Sequence, residues 1–356
     1  MAYKILYVED QKTDSRELDL KALGFEVESY DPSSDLSEIL GKLNNIDALI
    51  LDYRLTNGEK HACFDAPTIA ATLRSKHTTD FKERPIILMS NEDVIVDYYK
   101  DFTNQDLFDF AISKKDFLGN KEKFKNYLTS FVEAYSKIKT DNFDLLKIFQ
   151  INSSESGLIH TQIKSKLKSK EGFIYEHSRL INDTIINAIG TLIGEDILAA
   201  RLGISKDSKD WAVVLDSLKD AKYFGIFSDI HSRWWMDKVN FWWENVIEFE
   251  TPLRRLNAEE RVNVIKTKLS LDDLNPSVKT EYSTSSNFWT ICKFSNKPLD
   301  PFDGIELLKK DYLPWQEKEY ISFDSALTEI EKFKNIISEI DKKAIRELAN
   351  KVNTNG

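Results

Sequence analysis

The chain lacks most of the features that would assign it quickly to a functional class. It has two cysteines in 356 residues, Cys63 and Cys292, far apart in the sequence. Two thiols do not make a disulfide framework, so a reducing compartment is expected. No run approaches the ~20 apolar residues needed to cross a bilayer, and the first residues enter a strand-like segment with no leader pattern. A cytoplasmic protein without a membrane segment is the expectation. There is no internal repeat, low-complexity tract or glycine-rich phosphate loop. Positive charge is also short. Residues 1–138 hold 18 Lys+Arg against 25 Asp+Glu, a balance of -7, and the remainder holds 31 against 34, a balance of -3. Neither part has the basic footprint of non-specific nucleic-acid binding. What remains is 41% hydrophobic and 30% charged residues, enough for sizeable cores under a polar surface, and a length that suits two or three domains.

Across residues 3–138, short apolar runs alternate with amphipathic segments. Strands are expected at 4–9, 25–30, 48–52, 86–90 and 108–113, and helices at 15–23, 68–75 and 120–137. Pro85 precedes its strand, where it removes no internal ladder donor, and Gly24 follows Leu23 as a helix stop. Alternation of this kind predicts a parallel sheet with helices on both faces, and five units fit the α/β flavodoxin-like doubly wound order, 2-1-3-4-5. Such sheets place their chemistry at the carboxyl ends of the strands. Glu9-Asp10, Asp52, Ser90 and Lys114 all stand at expected strand ends.

Convergence of these groups would build a phosphoacceptor. An aspartate carboxylate can attack phosphorus and form an acyl phosphate, and Asp52 is the candidate nucleophile. A dianionic donor beside several carboxylates needs a counter-charge, which Mg²⁺ supplies through oxygen ligands. Asp10 and Asp52 are the expected direct ligands, with Glu9 acting through coordinated water and the backbone carbonyl of Arg54 as a third protein ligand. Lys114 would neutralise a phosphoryl oxygen, and Ser90 would turn its hydroxyl toward the phosphate.

The set Tyr7-Val8-Glu9-Asp10, Leu49-Ile50-Leu51-Asp52, Ile87-Leu88-Met89-Ser90 and Ile112-Ser113-Lys114 resembles the receiver domain of two-component response regulators over about residues 1–138. The resemblance implies phosphoryl transfer to Asp52 from a histidine kinase or phosphotransfer protein, with Mg²⁺ as cofactor. It also implies a signalling face around the fourth helix, fifth strand and fifth helix. Three features depart from that pattern. Lys115 stands where the family usually has a cis proline. Ala111 stands where it has an aromatic switch residue, with Phe110 adjacent. The stretch from Asp52 to Ser90 is long, the extra length falling in 56–65.

Beyond this domain the sequence is less explicit. Residues 139–157 are expected to be a linker, with 150–157 its best candidate, and 158–356 a mainly helical α+β output domain. Ile181, Ile185, Ile186, Ile189, Leu192 and Ile193 form a broad stripe suggesting one buried helix. Residues 196–227 carry a faint helix-turn-helix pattern, but 196–235 hold six acidic and six basic residues, so DNA binding is not the favoured reading. Trp234, Trp235, Trp242 and Trp243 are read first as core and second as a docking surface. His160, His177 and His231 have no paired-ligand spacing, and an output enzyme is not expected. Residues 288–323 read as loop-rich α+β, and 324–352 as one long amphipathic helix able to pack on its own domain or pair with a second copy. The expectation is a response regulator whose output is contact with another protein; the alternatives are an atypical DNA-binding regulator and a receiver controlling an unrecognised enzyme.

Overall fold

The computed structural model describes residues 2–11, 13–33, 35–56, 62–75, 82–91, 106–308 and 312–355, with side chains through 350. The insertion expected at 56–65 therefore lies partly outside the described residues, as does the helix expected between the fourth and fifth strands. The chain divides into two compact units. One comprises 1–148 and 167–180, the other 149–166 and 181–356.

The first unit is built on β1 (Lys4–Val8), β2 (Glu26–Tyr30), β3 (Ala48–Leu51), β4 (Ile86–Ser90) and β5 (Phe110–Ser113), in the order 2-1-3-4-5. All four pairings are parallel. The helices are α1 (Asp14–Ala22), α2 (Leu36–Lys42), α3 (Ala66–Arg74), α4 (Lys114–Gly119) and α5 (Lys121–Thr140). Side chains alternate across the sheet. Leu6, Val8, Leu49, Leu51 and Leu88 face one core with Ile39 of α2 and Ile69 of α3. Ile5, Tyr7, Ile50, Ile87 and Met89 face the other, with Leu20 of α1, Phe117 of α4 and Phe124 and Leu128 of α5. Burial on both faces is why β1, β3 and β4 read as nearly unbroken apolar runs.

Three further helices follow: α6 (Leu145–Phe149), α7 (Thr161–Lys168) and α8 (Ile174–Ile181). Most of α8 belongs to the first unit. Its first amides, Ile174 N–H and Tyr175 N–H, donate to Glu83 Oε2 at 2.5 and 3.1 Å, a carboxylate placed where a helix carries its positive end. The Tyr175 hydroxyl donates to the Asp106 carbonyl at 2.5 Å. The same ring lies against the Arg74 guanidinium, 3.5 Å from its centroid. Arg74 in turn pairs with buried Asp109 at 2.7 Å, and the Tyr135 hydroxyl donates to the other Asp109 oxygen at 2.7 Å.

The second unit holds β6 (Leu192–Gly194), α9 (Glu195–Leu202), α10 (Trp211–Ser217), β7 (Arg233–Trp235), α11 (Met236–Asn245), α12 (Ala258–Leu269), β8 (Thr290–Ile291), β9 (Pro298–Leu299), β10 (Gly304–Glu306), β11 (Tyr320–Ser322), α13 (Phe323–Phe333) and α14 (Glu339–Asn355). The strands form three antiparallel pairs, β6–β7, β8–β9 and β10–β11. Trp234, Trp242 and Trp243 are buried in its main core with Leu198, Val214 and Ile265, as the core reading of the tryptophan cluster expects. Fully buried Arg261 donates to the carbonyls of Leu253, Arg201 and Phe288. A smaller core gathers Cys292, Leu299, Ile305, Ile321 and Phe333. Within it the Cys292 thiolate or thiol sulfur accepts from Ser322 N–H at 3.3 Å and lies 3.2 Å from Ser325 Oγ.

Two expectations are corrected here. The isoleucine stripe is not one helix: α8 passes into a π-turn at 182–186, and Leu192 and Ile193 lie in β6. Gly190 explains the change, since a Cβ there would stand 2.0 Å from the Trp315 carbonyl oxygen; backbone passes too close for a helical side chain. The terminal helix is two, α13 and α14. Ser338 caps the second through Asp341 N–H at 3.0 Å, and Leu308 N–H takes the Ile336 carbonyl at 2.6 Å, so the backbone between them is spent on other partners. In the helix-turn-helix region α10 stops at Ser217 and exposes Ala212, Val213 and Asp216, a face without a basic side chain. Gly203 does turn the chain there as a left-handed cap, φ 73°.

Candidate phosphoacceptor site

Register brings the expected residues together. Val8 pairs with Leu51 and Leu51 with Leu88, while Ser90 pairs with Ser113. The next residues, Glu9, Asp52 and Lys114, therefore leave the sheet at one rim, with Ser90 at the end of β4. The Asp52 N–H donates to the Val8 carbonyl at 3.0 Å, locking the first and third strand ends side by side.

Lys114 Nζ lies 2.6 Å from Glu9 Oε2 and 3.1 Å from Asp52 Oδ2. All three side chains are at least nine-tenths buried. The Tyr7 hydroxyl also donates to Glu9 Oε2, at 3.0 Å. This partner was not foreseen, because Tyr7 reads only as one more apolar position in β1. Carboxylate oxygens of Glu9, Asp10 and Asp52 lie within 4.8 Å of one another. Ser90 is buried at the rim. Arg54 lies two residues past Asp52 with its side chain exposed.

The electrostatics follow from one ammonium among three carboxylates. Burial raises the Glu9 carboxyl to about 7; Asp52 adds to the rise, and the Lys114 hydrogen bond and charge oppose it. Burial, with Glu9 beside it, pushes the Tyr7 phenol up. Glu9 Oε1 and Asp52 Oδ1 are buried without a hydrogen-bond partner. Leaving a buried carboxylate oxygen unsatisfied is costly. Hard oxygen donors, clustered and partly unsatisfied, suit a divalent cation such as Mg²⁺. Among the described residues this is the single such cluster of His, Cys, Asp and Glu.

The neighbouring strand settles where the aromatic side chain points. Phe110 packs against Phe124, Tyr127 and Phe131, with ring centroids 6.0, 6.1 and 5.3 Å away. Ala111 faces the opposite core. Lys115 is exposed on the first turn of α4.

His160, His177 and His231 each have surroundings of their own. His177 is buried against Phe143, with Nδ1 3.1 Å from the Phe173 carbonyl, and burial lowers its pKa. His160 Nδ1 accepts the Gln162 N–H at 3.2 Å. His231 lines a 440 Å³ cleft with Glu195, Arg233, Lys293 and Glu319. No helix among the described residues is long and apolar enough to cross a membrane. The Arg74–Asp109–Tyr135–Tyr175 cluster was missed altogether, since its members lie up to 101 positions apart and no short spacing marks them.

No protein-family model and no curated protein matches the chain. Among solved structures, a putative response regulator from Chloroflexus aurantiacus is 23% identical over 35% of this chain and 98% of its own, with a TM-score of 0.27. The response regulator TrrA from Thermotoga maritima, in complex with Mg²⁺ and beryllofluoride, is 24% identical over 35% and 99%, with a TM-score of 0.28. The receiver domain of a sensor histidine kinase from Pseudomonas aeruginosa, with a magnesium ion in its active-site cleft, is 18% identical over 37% and 99%, with a TM-score of 0.29. The chain is similar to these receiver domains over about its N-terminal third.

Proposed function

We propose that this protein is a two-component response regulator that accepts a phosphoryl group on Asp52 and answers through contact of its C-terminal part with another protein. The observation that carries the reading is the buried Lys114 ammonium bridging Glu9 and Asp52 where three strands end. The sequence reading puts the phosphoacceptor part at 1–138, a linker at 139–157 and the output part at 158–356, of which 167–180 belongs to the first compact unit. In the transfer step an Asp52 carboxylate oxygen attacks the phosphorus of a phosphohistidine. The new P–O bond forms as the P–N bond breaks, and the imidazole leaves with a proton. Asp10, Asp52 and the Arg54 carbonyl, with Glu9 through coordinated water, would hold Mg²⁺, which would supply the counter-charge that lets a dianionic donor approach. Lys114 holds a phosphoryl oxygen by its charge, and the Ser90 hydroxyl donates to another. Phosphorylation adds about -1.5 to -2 charge at one place, so Lys114 gains a stronger partner than Glu9 and leaves it. The loops that carry Ser90 and Lys114 then shift in population.

The test is phosphorylation by a small phosphodonor with Mg²⁺. Wild type takes up one phosphoryl group, acid-stable and hydroxylamine-labile, and Asp52→Asn takes up none. Labelling that survives that substitution removes the assignment. The DNA-binding alternative finds no support in α10, whose exposed face is acidic and apolar.

A further inference from the structure

A groove in the second unit stands apart from this chemistry. It encloses about 790 Å³ between the 153–158 turn, the end of α10 and α11. Its floor is apolar, from Leu158, Leu218 and Trp242. At its edge α11 presents two large apolar side chains to solvent, Phe241 at 64% and Val246, just past the helix end, at 50% exposure. Isolated exposed apolar residues need no explanation, but two flanking one concavity mark a contact surface.

The rim charge says what it takes. Glu155, Asp220 and Asp237 line the groove against a single cation, Lys238. Lys238 is held by Glu155 at 2.5 Å. Asp220 and Asp237 are exposed and carry no ion pair among the described residues.

We propose that this groove is the output contact, and that its occupant is a basic amphipathic segment of another protein. One or two large apolar side chains fill the floor beside Phe241, and flanking Lys or Arg side chains meet Asp220 and Asp237. This rests on the protein-contact part of the proposed function and gives it a place and a chemistry. Steering by the acidic rim selects cationic partners over acidic ones of equal hydrophobicity.

The test uses the full chain and two fluorescein-labelled synthetic peptides of equal length and leucine content, one Leu/Lys and one Leu/Glu, with fluorescence anisotropy as the readout. The Leu/Lys peptide is expected to bind at least about tenfold more tightly than the Leu/Glu peptide. Phe241→Ala is expected to weaken it about tenfold, and Asp220→Lys with Asp237→Lys to abolish or invert the preference. The same charge change at Glu331 and Glu347, both exposed and away from the groove, leaves it in place. Thermal melts confirm that each variant is folded; should Phe241→Ala unfold, the double charge reversal decides alone. Equal affinity for both peptides makes this an unselective apolar site and overturns the proposal. So does wild-type-like binding by the groove variants, or no binding by folded wild type. Labelling of Asp52 is read in the same samples. Peptide binding lost with labelling intact removes the groove and leaves the phosphoacceptor standing; labelling lost with selective peptide binding intact does the reverse.

Discussion

At the scale of single residues, the rim is a place where charge is held out of balance. Among the described residues Lys114 is the one cation paired with Glu9 and Asp52, and all three are buried. Removing it leaves carboxylates without a counter-charge in a low-dielectric site. Without Mg²⁺, Lys114→Ala is expected to cost about 3–5 kcal/mol of unfolding free energy by urea titration. A cation that binds the folded rim stabilises it by mass action, about 2.7 kcal/mol at a hundred times its dissociation constant. Mg²⁺ should therefore raise the melting temperature, EDTA should reverse the rise, and Asp10→Asn or Asp52→Asn should shrink it; a rise equal in all three proteins removes Mg²⁺ from this site. His177 gives a second prediction, away from the rim. Burial lowers its pKa below the ordinary 6.5, so the unfolded chain binds the proton more readily than the folded one. Stability is then complete above about pH 6.5 and falls as pH drops toward the folded value. His177→Asn should remove that component of the acid slope, measured as denaturant midpoints from pH 7.5 to 5. The rim residues were legible because each ends an apolar run, and a parallel sheet must gather such ends. Tyr7 was not, since a hydroxyl at the tip of a buried ring leaves no mark on the hydropathy pattern.

At the scale of elements, what the sequence reveals depends on whether burial is periodic. β1, β3 and β4 are buried on both faces and bounded by polar residues, so their existence and order follow from composition and length. The stripe from Ile181 to Ile193 satisfies helical spacing equally well, yet it is divided among α8, a π-turn and β6. The deciding contact is Gly190 against the Trp315 carbonyl, with the backbone bridge Gly190–Gln316 beside it. That partner lies 125 positions away, beyond any local pattern. Gly190→Ala forces backbone apart and is expected to cost about 1–3 kcal/mol, read as a lowered urea midpoint; an unchanged midpoint would show that the close approach is not kept. The α13–α14 break was missed for a similar reason, since Ile337 continues the apolar stripe while Ser338 quietly starts a new helix. The hairpin-to-helix junction at β11 and α13 depends on Cys292. Its sulfur accepts the Ser322 N–H in a wholly buried place. Cys292→Ala leaves that donor unsatisfied, for about 1–3 kcal/mol, and Cys292→Ser, which restores an acceptor, should recover part of the loss.

At the scale of the molecule, the path of the chain matters more than the division into a first third and a remainder. It leaves the first unit after 148, returns for 167–180 and leaves again. The first unit is thus completed by a segment from beyond the expected linker. Glu83 receives two amides of α8, Asp106 receives Tyr175 and Arg179, and the Tyr175 ring covers Arg74. Arg74 and Asp109 are an ion pair that pays for burial only while its surroundings are complete, because breaking one side of such a cluster strands the other charge. A chain cut at 148 would keep every residue of the acidic rim and lose this cover. Tyr175 is 5% exposed, and in the full chain Tyr175→Ala is expected to destabilise the first unit by about 3–5 kcal/mol. Native-state hydrogen exchange is the measurement that separates the units. Amides of β4 and β5 should lose protection in the variant, while those of α11 and α12, in the other unit, keep theirs. Tyr175→Phe retains the ring on Arg74 and loses only the bond to Asp106, so it should fall between wild type and alanine. Equal protection in all three proteins would mean that the sheet holds its ion pair without α8, and that residues 167–180 are passengers on the first unit and no part of its stability.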